Sequence, residues 1–77
     1  MPRISDRQRI AQDIREKIAS GEYKPGDKLP SLRELIVLYK VSAEPVRSAL
    51  LILQAEGLLE GHQGKGVFVT GKAEDPD

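Results

Sequence analysis

The twelve residues Lys24-Pro25-Gly26-Asp27-Lys28-Leu29-Pro30-Ser31-Leu32-Arg33-Glu34-Leu35 constrain the fold of this chain more than any other stretch. Pro25-Gly26 is a tight-turn pair. Lys28-Leu29 can form a short extended step that pairs with a later hairpin. After Pro30, Ser31 is followed three residues later by Glu34, the capping-box form that opens a helix. A turn, an extended step and a helix start thus share a dozen residues. The chain has 77 residues in all, enough for one domain with a single small core.

The flanking sequence supplies the other elements. Ser5-Asp6-Arg7-Gln8 is a first capping box, and Ile10, Ile14 and Ile18 recur every four residues beside Ala11. That periodicity predicts a helix over about Asp6–Ser20, stopped at Gly21. The second helix is expected over about Leu32–Tyr39, with Leu35, Ile36 and Tyr39 inward, and Lys40-Val41 as the turn after it. Ser42 is a natural N-cap for a third helix, with Pro45 in its first turn, where a missing N–H is tolerated. Val46, Ala49, Leu50 and Leu53 keep the helical period, and Gly57 ends it. Leu58–Glu60 and Val67–Thr70 read as strands, with Val67 and Val69 on one face and Phe68 on the other. Gly61-His62-Gln63-Gly64-Lys65-Gly66 is the loop between them. The expected fold is mainly α with a small β-hairpin: a winged helix-turn-helix, three helices plus a two- to three-stranded antiparallel wing. Residues 1–70 form the domain and 71–77 a linker or disordered tail.

Composition excludes several classes. There is no cysteine, so disulfides and thiolate zinc sites are ruled out. His62 is the single histidine and makes a poor metal site alone. No apolar run approaches the roughly 20 residues that cross a bilayer, and no signal-peptide pattern opens the chain. The residues point to an intracellular, cytoplasmic protein. No nucleophile–base pair, metal cluster or phosphate loop is visible, so no enzyme and no cofactor are expected. Net charge is zero, which argues mildly against nucleic acid. Glu74, Asp75 and Asp77 carry acid in the tail, however, and the remainder is slightly basic.

From about Arg9 to Thr70 the chain resembles the DNA-binding domain of the GntR family of bacterial transcription regulators. The resemblance is carried by Ile18-Ala19-Ser20-Gly21-Glu22-Tyr23-Lys24-Pro25-Gly26-Asp27-Lys28-Leu29-Pro30-Ser31, Arg33-Glu34-Leu35, Val41-Ser42, Val46-Arg47 and Ala49-Leu50. Leu53, Glu56-Gly57-Leu58, Gln63-Gly64-Lys65-Gly66 and Phe68-Val69 complete it. Each piece is weak alone; their order and spacing together are specific. The resemblance implies a nucleoid-associated regulator, a repressor in the first instance, that binds a two-fold-symmetric double-stranded operator. It also implies a homodimer in the full-length protein and a C-terminal effector domain absent from this chain.

Candidate DNA-binding residues follow. The resemblance places Arg33, beside Ser31 at the start of helix two, at the DNA; the alternative is an ion pair with Glu34 or Glu44. It places Arg47 of the recognition helix there too, against a salt bridge with Glu44. Ser42 can bond a phosphate or only cap. In the family the wing tip reaches the minor groove; here Lys65 supplies charge, Gln63 a donor and Gly64 close backbone approach. The alternative is an ordinary hairpin loop. Arg7, Arg9, Arg15 and Lys17 read as a solvated face.

The family usually has an arginine after the capping residue and then small hydroxylated residues; here stand Ala43, Glu44 and Pro45. Either Glu44 accepts from a cytosine amino group and Ala43 or Pro45 packs on a thymine methyl, or the domain binds DNA poorly. Leu32, Val37, Leu38, Leu51 and Ile52 are apolar beyond the core stripe, which keeps open a winged helix repurposed for protein contact.

Overall fold

The computed structural model describes residues 4–70. The expected tail at 71–77 and the first three residues of the lead-in lie outside the described residues. The order is α1 (Asp6–Ser20), α2 (Leu32–Tyr39), α3 (Ala43–Ala55), β1 (Leu59–His62) and β2 (Gly66–Val69). The expected winged helix-turn-helix architecture is present.

Every element sends side chains into one core. Ile10, Ala11 and Ile14 of α1 meet Val46, Ala49, Leu50 and Leu53 of α3, while Leu35 of α2, Leu59, Val69 and the connector's Leu29 close the cluster. Removing these surfaces from water is the main drive for assembly. No described side chain in this core is polar.

The first two helices begin on closed capping boxes. Gln8 N donates to Ser5 Oγ at 3.3 Å while Ser5 N donates to Gln8 Oε1 at 3.3 Å. In α2, Glu34 N donates to Ser31 Oγ at 3.1 Å and Ser31 N to Glu34 Oε1 at 2.8 Å. Both helices occupy the spans their sequences predict. Lys40 ends α2 in the left-handed region, at φ 57°, where a side chain is strained.

The hairpin pairs Leu59 with Val69, Glu60 with Phe68, Gly61 with Val67 and His62 with Gly66. The strands therefore reach further toward the tip than expected, and His62 lies in β1 rather than in the loop. Its ring meets Phe68 edge-on, with centroids 5.1 Å apart, and this contact extends the pairing. Only Gln63–Lys65 remain as the turn, closed by Lys65 N donating to His62 O at 2.9 Å. Gly64 supplies the turn's positive φ, 78°. At the other end Leu58 and Thr70 fall outside the strands because they fasten the corner after α3. Leu58 N donates to Leu53 O at 3.0 Å, Thr70 N to Leu58 O at 3.1 Å and Thr70 Oγ1 to Gly57 O at 2.9 Å.

The connector joins the sheet through Lys28, which forms an isolated antiparallel bridge with Phe68. Gly26 N donates to Val69 O (2.9 Å), Val69 N to Asp27 O (2.8 Å) and Leu29 N to Val67 O (2.8 Å). The expected third strand is thus a single bridge: the next donor facing β2 after Leu29 is Ser31 N, and it is taken by Glu34 in the α2 capping box.

Tyr39 ties α2 to α1: its hydroxyl donates to Asp13 Oδ2 at 2.6 Å. Burial first, then this hydrogen bond and the Asp13 charge, hold the phenol well above its ordinary range. The neutral phenol is favoured in the folded state, so this stabilisation is full below the unfolded value of about 10 and is lost as pH rises beyond it. Tyr39→Phe is expected to lose about 1–2 kcal/mol at neutral pH, with the gap to wild type closing in urea titrations above about pH 10. A gap that stays constant through that range would show that the hydroxyl plays no such part. Lys40→Gly, which relieves the left-handed strain, is expected to gain about 1 kcal/mol in the same titrations.

Candidate nucleic-acid interface

The cations divide by location. On α1, Arg9 meets Asp6 at 3.4 Å, Arg15 grips Glu56 through two nitrogens at 3.0 and 2.8 Å, and Lys17 lies 3.6 Å from Asp13 and 3.8 Å from Glu22. Three of the four cations expected on a solvated face are thus paired. Arg15 in addition joins α1 to the end of α3, a contact that local sequence does not show.

Among the described residues, no ion pair forms at Arg33, Arg47, Lys65 or Lys28. The alternatives Arg33–Glu34, Arg33–Glu44 and Arg47–Glu44 are therefore absent. Glu34 is taken by the Ser31 cap, and Glu44 stays exposed without a cationic partner.

α3 presents these groups by its period. Val46, Ala49, Leu50 and Leu53 face the core, which leaves Glu44, Arg47 and Leu51 on one exposed stripe. Ser42 is exposed at the N-cap and Ala43 is half-buried after it. The expectation that Ser42 caps α3 through its side chain needs correction: its backbone has N-cap geometry, but its hydroxyl makes no cap hydrogen bond. In α1 and α2 the serine oxygen accepts from the backbone N–H three residues on. Three residues after Ser42 stands Pro45, which has no N–H, so the hydroxyl faces solvent free of that role.

Ser31 and the wing tip come together. A cleft of about 600 Å³ runs between the start of α2 and the hairpin, lined among others by Lys28, Ser31, Leu32, Gln63, Gly64 and Lys65. Arg33 stands exposed in the first turn of α2. Arg7 shares a shallow hollow with Glu44, Pro45 and Ser48, beside the start of α3. The structure thus brings Ser31 to Gln63, Gly64 and Lys65, and places Glu44 and Arg47 on one stripe. Lys28 lies beside the wing, where its expected pairing with the hairpin puts it, but the sequence did not single it out as a site residue; strand alternation was the signal that could have done so, since Phe68 opposite it faces away from the core.

Of the five extra apolar residues, Leu32 and Ile52 pack against the core. Val37 (71% exposed), Leu38 (56%) and Leu51 (64%) do not. Among the described residues, no group of three His, Asp or Glu side chains could hold a metal ion, and no helix is long and apolar enough to cross a membrane.

A helix-turn-helix followed by a hairpin wing defines the winged-helix class. Within it, residues 6–69 match the model of the bacterial regulatory proteins of the gntR family, and the chain belongs to that family. It is 48% identical over 60 residues to the mannosyl-D-glycerate transport/metabolism system repressor MngR of Escherichia coli, covering 78% of this chain and 25% of that protein. It is 36% identical over 66 residues to the HTH-type transcriptional repressor YtrA of Bacillus subtilis, covering 86% of this chain and 51% of that one. The chain thus spans about half or less of the length of these relatives. Among solved structures, AraR(DBD) in complex with operator ORX1 superposes with a TM-score of 0.86 at 31% identity, over 88% of this chain and 82% of that one.

The unequal serines give a direct test. Ser31→Ala is expected to destabilise the domain by about 1 kcal/mol, and Ser42→Ala by less than about 0.5 kcal/mol. Equal losses in urea unfolding would show that Ser42 caps its helix in solution.

Proposed function

We propose that this domain is the sequence-specific DNA reader of a repressor-type transcription regulator. The observation that carries the reading is the division of its cations. Three of the four on α1 are paired with neighbouring acids, whereas among the described residues Arg33, Arg47 and Lys65, like Lys24, Lys28 and Lys40, form no ion pair; the first three lie on the start of α2, the outer stripe of α3 and the wing. The likeness to AraR(DBD), whose structure includes an operator, supports the same reading.

In this reading the start of α3 enters the major groove. Arg47 forks onto a guanine edge or grips a phosphate, and Glu44 accepts from a cytosine amino group. Ala43 packs on a thymine methyl, and the uncommitted Ser42 hydroxyl bonds a phosphate. Ser31 and Arg33 hold the backbone from α2. Gln63, Gly64 and Lys65 reach the flanking minor groove. Two copies read a two-fold operator, as a homodimer within a longer cytoplasmic protein at the nucleoid, and a C-terminal effector domain sets occupancy. No catalytic role is assigned, in keeping with the regulators this chain resembles.

Protein contact is the second reading, favoured by the exposure of Val37, Leu38 and Leu51. Salt separates the two, because affinity for a polyanion falls steeply with ionic strength. Selection on a randomised duplex library at low and moderate salt is expected to enrich a two-fold motif. Arg47→Ala should weaken binding to it by about 1–3 kcal/mol and relax preference at one position. No enrichment at either salt would overturn the DNA reading in favour of protein contact.

A further inference from the structure

We propose that Lys28, in the connector between α1 and α2, is the wing's second DNA-contacting cation and binds a backbone phosphate beside Lys65. The inference rests on the DNA-reading function above and adds to it a contact from outside the helix-turn-helix and the hairpin.

The sheet register places the side chain. Lys28 bridges Phe68, and Phe68 pairs with Glu60, so the three share the sheet face turned from the core. Gly66 is two residues from Phe68 along β2, the diagonal neighbour of Lys28. With no side chain of its own, Gly66 leaves a gap there, and the lysine stem fills it. A Cβ added to Gly66 would stand 2.8 Å from Lys28 Cε and 3.6 Å from Nζ. The stem therefore runs along the hairpin toward its turn and carries the ammonium to the wing end of the cleft shared with Ser31, Gln63 and Lys65.

Among the described residues, no acid pairs with that charge. Glu60, on the same face, lies 3.8 Å from His62 Nε2. Asp27, next in sequence, accepts from the backbone N–H of Lys24 at 2.9 Å. Laying a flexible side chain along the hairpin costs rotamer entropy, and no ion pair among the described residues offsets it at Lys28. A phosphate between the wing and α2 would supply the missing partner. An ammonium is a point charge without the guanidinium fork, so its contact adds affinity and salt dependence without base preference.

Binding of the selected duplex is measured across a salt series for wild type, Lys28→Met, Lys28→Arg and Lys17→Met, with melting temperatures recorded alongside. Lys28→Met keeps the stem and removes the charge. It is expected to bind more weakly, with the slope of log K against log[salt] reduced by about 0.9 and the order of preferred sequences unchanged. Lys28→Arg should keep the wild-type slope even where the stem repacks. Lys17→Met, whose ammonium is already paired, should keep it too. A wild-type slope in Lys28→Met, with wild type binding in a salt-dependent way, overturns the assignment. A changed base preference overturns the backbone contact. A wild type that binds no duplex at any salt removes the DNA reading itself, and Lys28 with it.

Discussion

Three backbone hydrogen bonds between the connector and β2 hold the two halves of this domain together. A two-stranded hairpin alone is marginal in water, and β1 and β2 are four residues each. The bonds of Gly26, Asp27 and Leu29 to Val67 and Val69 give β2 a second partner and bring the buried Leu29 under it. Because α2 begins three residues after Leu29, the same bonds fix the wing relative to the start of α2. The cleft between them is a product of this attachment, and so is the meeting of Ser31 with Gln63, Gly64 and Lys65.

The core and the charged surface are complementary outcomes of one periodicity. In α3 the residues that bury against Ile10 and Ile14 leave Glu44, Arg47 and Leu51 outward. On α1 the polar side is closed by its own acids and by Glu56. A chain with zero net charge can thus pair most of its α1 cations while, among the described residues, Arg33, Arg47 and Lys65 form no ion pair. Exposed ion pairs of the α1 kind contribute little to stability; their consequence here is that α1 offers less charge to a polyanion than its composition suggests.

Much of this was legible in the sequence because its signals are local. Two capping boxes and a four-residue isoleucine repeat mark α1 and α2 to the residue, and the small core follows from the helical period. What was not legible depends on distance in space. Sequence alone does not show that Leu58 and Thr70 are committed to the corner after α3, or that His62 lies in β1 with its ring edge-on to Phe68. Arg15 finds Glu56 across 41 positions, and although the pairing of Lys28 with the hairpin was expected, the course of its stem along Gly66 was not. Ser42 is a different case. The residue type suggested a cap, and the donor such a cap needs was already missing at Pro45. The individual DNA-facing roles rest on the family resemblance together with the exposure and lack of pairing found here.

The open start of α3 also bears on how the chain assembles. Nucleating a helix in isolation is unfavourable, and side-chain caps are among the few local aids. α1 and α2 carry such aids within their own first turns, whereas α3 has none. What holds α3 in place is therefore the burial of Val46, Ala49 and Leu53 in the shared core. The helix proposed to read DNA is thus the dependent one: without a side-chain cap of its own, its first turn is held by its packing against the rest of the domain.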